Sequence, residues 1–110
     1  MIDLDALIPA VESLPHVRDV VVSSTVEGVS TRGRFSVCSA AETRDVEKTV
    51  RRMLGASATI GSGLDRVILH FGGFQLVVVP LSAELNLLVL AMDGISLDAV
   101  FEVVAEHRPA

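Results

Sequence analysis

Two almost unbroken apolar runs, Leu76–Leu81 and Leu87–Met92, are separated by a short loop and constrain this chain more than anything else in it. A half-exposed strand alternates apolar and polar residues, whereas a strand that is apolar at successive positions is covered on both faces. The pair therefore belongs in the interior of a sheet with a layer on each side. Pro80 falls near the end of its run, where the missing amide donor is tolerated.

The flanking sequence supplies those layers. Leu4, Leu7, Ile8, Val11 and Leu14 keep helical spacing, with Asp3 or Asp5 available as a cap and Pro15 as a stop. Pro9 interrupts that pattern, so the first helix is expected either to begin late or to kink. Val17–Ser24 reads as a first strand with a β-branched centre, Val20-Val21-Val22. Glu27-Gly28 turns the chain, and Val29–Val37 alternates as a half-exposed second strand.

Ser39-Ala-Ala-Glu42 has the form of a capping box and starts a second helix. Its apolar stripe is Val46, Val50, Met53 and Leu54, extending toward Ser57 and Ile60, and Arg44, Lys48, Arg51 and Arg52 mark its outer side. Gly55 loosens this helix and Gly61-Ser-Gly63 ends it. Leu64–Phe71 and Phe74–Leu81 form a hairpin about Gly72-Gly73, followed by a fifth strand over Leu85–Met92. After Asp93-Gly94, Ser96 caps a last helix that buries Leu97, Val100, Phe101 and Val104 and exposes Asp98, Glu102 and Glu106. The order is α-β-β-α-β-β-β-α in a single domain spanning residues 1–110.

Composition adds one expectation about assembly. A chain of 110 residues buries roughly 65% of the surface its unfolded form exposes. Half of its residues are apolar, and its mean hydropathy is +0.55. That surplus points to a homodimer or tight heteromer, because obligate interfaces resemble a core cut in half.

No run reaches the roughly 18 apolar residues of a membrane-spanning helix, and the start, with Asp3 and Asp5, lacks a basic signal region. The expectation is a cytoplasmic protein without membrane insertion. A net charge of −5 and the absence of Trp and Tyr argue against nucleic acid. Residues 32–66 hold seven of the nine basic residues, whereas residues 67–107 hold none, so separate basic and acidic surfaces are expected.

The residues of catalysis do not assemble into a pattern. The glycine clusters have neither phosphate-cradling spacing, and His16, His70 and His107 stand far apart without neighbouring ligands. Cys38 is the single cysteine, which excludes an internal disulfide, and nothing local activates it. Asp3 with Asp5, and Asp98 with Glu102, read as capping and solvent-facing acids. No enzyme, cofactor or metal site is expected.

Three stretches carry a resemblance: Leu14-Pro-His-Val-Arg-Asp-Val-Val-Val22 running from helix into strand, Glu27-Gly28 in the next turn, and Leu76-Val-Val-Val-Pro-Leu81 leading to the strand Leu85–Met92. With the order of elements, they make the chain similar to the roadblock family, related to dynein light chains and to bacterial gliding-motility regulators of Ras-like GTPases. The resemblance implies a five-stranded antiparallel sheet, with the middle helix on one face and both terminal helices on the other. It also implies a homodimer through the middle helix (Val46, Val50, Met53, Leu54) and the third strand (Val67, Ile68, Leu69, Phe71).

A non-enzymatic adaptor that binds a small Ras-like GTPase or its signalling complex is the function this resemblance implies, with Arg44, Lys48, Arg51 and Arg52 as possible docking residues. Arg51 or Arg52 as an arginine finger is a lesser reading. A small-ligand sensor and a structural subunit without GTPase contact are the alternatives.

Overall fold

The computed structural model describes residues 2–24, 32–33, 35–59, 67–82 and 84–109, with side chains at all of these except 57–59 and 71. The elements are α1 (Leu4–Glu12), β1 (Val17–Ser24), α2 (Ala40–Thr59), β2 (Val67–Phe71), β3 (Phe74–Pro80), β4 (Leu85–Met92) and α3 (Leu97–His107). Every strand pairing is antiparallel, and the strand order is β1-β4-β3-β2.

The two apolar runs are the central strands, β3 and β4. Their register sorts each side chain to one of two cores. On one face the row Val20–Val89–Val77–Ile68 and its neighbours Val22, Leu87 and Val79 pack under α1 and α3, which contribute Leu7, Val11, Val100 and Val104. On the other, Val21, Leu88, Val78, Leu76 and Leu90 pack under α2, with Val50 and Phe35. Because side chains alternate along a strand, a one-residue slip would exchange the two sets.

The protomer absorbs its apolar surplus in these two layers. Among the described large apolar side chains only Val37 and Met92 are well exposed, at 44% and 46%. Among the described residues no broad apolar patch is left for a second copy to cover.

Among the described residues there are four strands where five were expected. Of the expected second strand, 29–31 and 34 lie outside the described residues. Arg32 makes one antiparallel bridge with Val22 through a reciprocal pair of backbone hydrogen bonds of 2.9 and 3.0 Å. Ser36 and Val37 then form a turn rather than a strand, because Asp19 accepts from both the backbone amide and the hydroxyl of Ser36 at 3.0 and 2.9 Å. Alternating sequence was a poor guide where a side-chain acceptor captured the backbone. The expected strand at Leu64–Phe71 begins at Val67 among the described residues.

Helix ends follow the capping residues. Asp3 caps α1 by accepting from the Asp5 amide at 3.0 Å, and Ser96 caps α3 by accepting from the Ala99 amide at 3.2 Å. Contrary to one expectation, α1 does not start late. It begins at Leu4 and runs through Pro9 to Glu12. The burial of Leu7 and Val11 outweighs the hydrogen bond lost at an exposed proline.

Two corners meet at one end of the α1–α3 layer. His16 holds a left-handed backbone (φ 69°), and its carbonyl accepts from the Met92 amide at 2.8 Å. Gly94, also left-handed at φ 95°, lies so close that a Cβ there would sit 3.3 Å from the His16 ring.

Replacing Pro9 by Ala restores a helical amide donor at an exposed site. Pro9→Ala is expected to stabilise the fold by about 1–2 kcal/mol after allowing for the looser unfolded chain, measured as a raised midpoint in urea unfolding.

Candidate functional site: the α2 layer and the open edge of β2

The start of α2 is built by local chemistry. The Ser39 hydroxyl accepts from the Glu42 amide and the Glu42 carboxylate accepts from the Ser39 amide, both at 3.1 Å, a reciprocal capping box. The backbone and side-chain hydrogen bonds from Ser39 hold the Glu42 carboxyl below its ordinary range. Thr43 ties the preceding turn to the helix: its hydroxyl donates to the Ser39 carbonyl at 3.0 Å and accepts from the Phe35 amide at 3.3 Å. The turn is anchored to β1 by Asp19 and by Arg18, whose Nε donates to the Ser36 hydroxyl at 3.3 Å.

From this start α2 continues through Gly55 to Thr59, the last described residue before the Gly61-Ser-Gly63 stretch expected to end it. A Cβ at position 55 would meet nothing within 4 Å, so the missing side chain leaves no gap in the core. The side of α2 against the sheet carries the fully buried Thr43, Glu47 and Val50, flanked by the half-buried Val46, Met53 and Leu54. Arg44, Lys48 and Arg52 are exposed and Arg51 is half-buried.

The charge separation expected from sequence acquires a geometry here. The cations of α2 lie on one side of the sheet. Asp98, Glu102 and Glu106 of α3, with Asp5 and Glu12 of α1, are exposed on the other. Arg32 pairs with Asp5 at 2.9 Å, but both side chains are largely exposed and the pair adds little stability.

β2 closes one end of the sheet. It pairs only with β3 among the described strands. Counted from the Gly72-Gly73 turn, Ile68 and His70 are the residues whose backbone groups point away from β3, and His70 is exposed. Of the residues expected at a dimer interface, Val46, Leu54, Val67 and Leu69 pack against the core under α2. Ile68 packs on the opposite core, and Val50 is buried within its own chain. Met53 is half-buried, and the side chain of Phe71 lies outside the described set. What this region offers a second chain is therefore a strand edge beside a helix flank.

The remaining candidates stay apart. His16 occupies its corner, His70 is exposed on β2, and Nδ1 of His107 contacts the Val103 carbonyl at 2.8 Å. Cys38 is a half-buried free thiol 3.5 Å from the Thr43 hydroxyl. Among the described residues no group of three or more potential ligands converges on a metal position. Gly72-Gly73 is a hairpin turn, and Gly61-Ser-Gly63 lies outside the described residues.

Sequence reasoning missed two buried polar residues. Among the described residues, Glu47 is 1% exposed, with one oxygen accepting from Arg44 and Oε1 without a hydrogen-bond partner. Asn86 is equally enclosed in β4, and its Nδ2 has none either. The signal was present: Glu47 follows Thr43 by one turn and precedes Val50 on the same face, and Asn86 lies two residues before Leu88 on the same side of its strand.

No family model matches the sequence, and no curated protein matches it. Solved structures do. A Roadblock/LC7 domain from Streptomyces avermitilis superposes with a TM-score of 0.69 at 23% identity, covering 94% of this chain and 90% of that one. MglB of Myxococcus xanthus gives 0.72 at 15% identity, with 94% and 80% covered. The gliding protein MglB from Thermus thermophilus gives 0.69 at 9% identity, with 94% and 82% covered. The fold of this chain is the roadblock fold.

The capping box makes a pH prediction. Since the folded carboxyl of Glu42 titrates below the ordinary value of 4.5, its contribution is present above that value and lost as pH falls through the folded one. Glu42→Gln is expected to flatten the acid limb of the stability–pH curve, read from urea midpoints between about pH 3 and 6.

Proposed function

We propose that this protein is a non-enzymatic, homodimeric adaptor or regulator that binds a small Ras-like GTPase or its signalling complex. The single observation that carries this reading is the edge of β2, which pairs only with β3 among the described strands, on a roadblock fold whose α2 exposes Arg44, Lys48 and Arg52. An edge strand with unpaired backbone groups invites a second copy, and pairing there would continue the sheet from one chain into the next. Likeness to a gliding protein agrees with the regulatory side of the resemblance read from sequence.

In this reading the interface draws on the β2 backbone at Ile68 and His70 and on the half-buried Val46, Met53 and Leu54 of α2. Arg44, Lys48, Arg51 and Arg52 are the docking residues for an acidic partner surface, and the chain supplies no catalytic group of its own. None of the described helices is long and apolar enough to cross a membrane, and a cytoplasmic location forms part of the proposal.

Dimerisation is tested by light scattering across concentration. The wild type should have twice the 11.7 kDa chain mass, and His70→Pro, which removes an outward amide donor from β2, should have the mass of one chain while remaining folded. A folded wild type of single-chain mass at all concentrations would remove the dimer from the reading.

The partner is tested by titration with small Ras-like GTPases and by their rates of nucleotide hydrolysis. Binding at micromolar concentration is expected. The pair Lys48→Glu and Arg52→Glu should weaken it by about tenfold or more, with the loss steepest at low salt. Absence of binding by every candidate would withdraw the GTPase and leave the adaptor reading without its partner.

A further inference from the structure

The two layers that cover the sheet are held very differently. α1 and α3 insert Leu7, Val11, Val100 and Val104, all 0–2% exposed, into a core of valines and leucines. Over twenty residues α2 inserts three fully enclosed side chains among those described, Thr43, Glu47 and Val50, and two of them are polar.

The chemistry between α2 and the sheet is also incomplete. Among the described residues Glu47 is enclosed with Oε1 unpaired, and Asn86, which alternation along β4 puts on the same face as Leu88 and Leu90, is enclosed with Nδ2 unpaired. A buried carboxyl group bonded through only one of its oxygens, here to Arg44, leaves part of its desolvation cost unmatched, and that cost falls when the helix lifts and water reaches the other oxygen. A pocket of about 180 Å³, partly open to solvent, lies beside the first turns of α2 and is lined by Val37, Cys38, Glu42 and Val46 together with Phe35, Leu76 and Leu90 of the core. Gly55 further lowers the helix's own propensity.

We propose that α2 is a detachable cover: it lifts from the sheet as a unit while the α1–α3 layer stays packed, and in doing so bares the apolar face formed by Val21, Leu76, Val78, Leu88 and Leu90. Hydrogen exchange reads this directly, because segments that open on their own exchange ahead of those that need global unfolding. The proposal concerns the chain by itself and requires no partner.

The experiment follows amide exchange of the full chain by mass spectrometry at neutral pH, at a dilution where light scattering gives single-chain mass, or on His70→Pro where the wild type stays dimeric, so that a partner seated on α2 is not read as closure. Amides of residues 44–56 should exchange at least about 100-fold faster than those of the β3–β4 ladder, after correction for intrinsic rates. Val104→Ala, in the opposite layer, should speed β3 and β4 by about tenfold or more while leaving α2 unchanged, since α2 exchanges through its own opening. Glu47→Met replaces the enclosed carboxylate with an apolar chain of similar length and should slow α2 by about 5- to 30-fold.

Exchange of α2 at the rate of β3 and β4, or a parallel acceleration of both by Val104→Ala, would overturn the proposal. So would a folded Glu47→Met protein whose α2 exchange is unchanged or faster. The wild-type comparison decides the matter even if a variant fails to fold.

Discussion

The central antiparallel pair β3–β4 is the constraint on which the rest depends. Both strands present apolar side chains to both faces, so neither face tolerates water and each needs its own layer of helix. The antiparallel register fixes which residues go where: Val77, Val79, Leu87 and Val89 to one side, Leu76, Val78, Leu88 and Leu90 to the other. Every other element is placed by that division. β1 extends it with Val20, Val21 and Val22, which serve both cores in turn.

The division is unequal in chemistry. On the α1–α3 side, hydrophobic burial runs from the sheet into both helices without a polar interruption among the fully buried residues of those helices. On the α2 side the sheet carries the buried Asn86 beside its apolar residues, and the helix answers it with a threonine, a glutamate and one valine. The same helix carries the cations of this face and lies on the side where Met92 and Val37 remain accessible. Stability and potential for interaction are thus sorted to opposite faces of one small sheet.

Most of the fold was legible in the sequence because its signals are local. β1 and β4 have the limits that their apolar runs indicate, Gly72-Gly73 makes the hairpin, and Asp3, Ser39 and Ser96 each begin a helix. What failed depended on contacts distant in the chain. Ser36 and Val37 look like strand until Asp19, seventeen residues earlier, takes the Ser36 amide and hydroxyl. The placement of Glu47 was hidden for a similar reason: a charged residue beside an arginine on a helix reads as solvent-facing unless its position relative to Thr43 and Val50 is weighed above its charge. Val50, read from its spacing as part of the apolar stripe of α2, is buried against the sheet of its own chain.

The corner where His16 meets Gly94 constrains sequence as well as shape. One residue leads from α1 into β1 and the other from β4 toward α3, and they touch where only a hydrogen atom at position 94 fits without displacement. Any larger residue there would have to press the exposed imidazole aside and hold a left-handed backbone, so this joint between the two terminal-helix connections limits what position 94 can be.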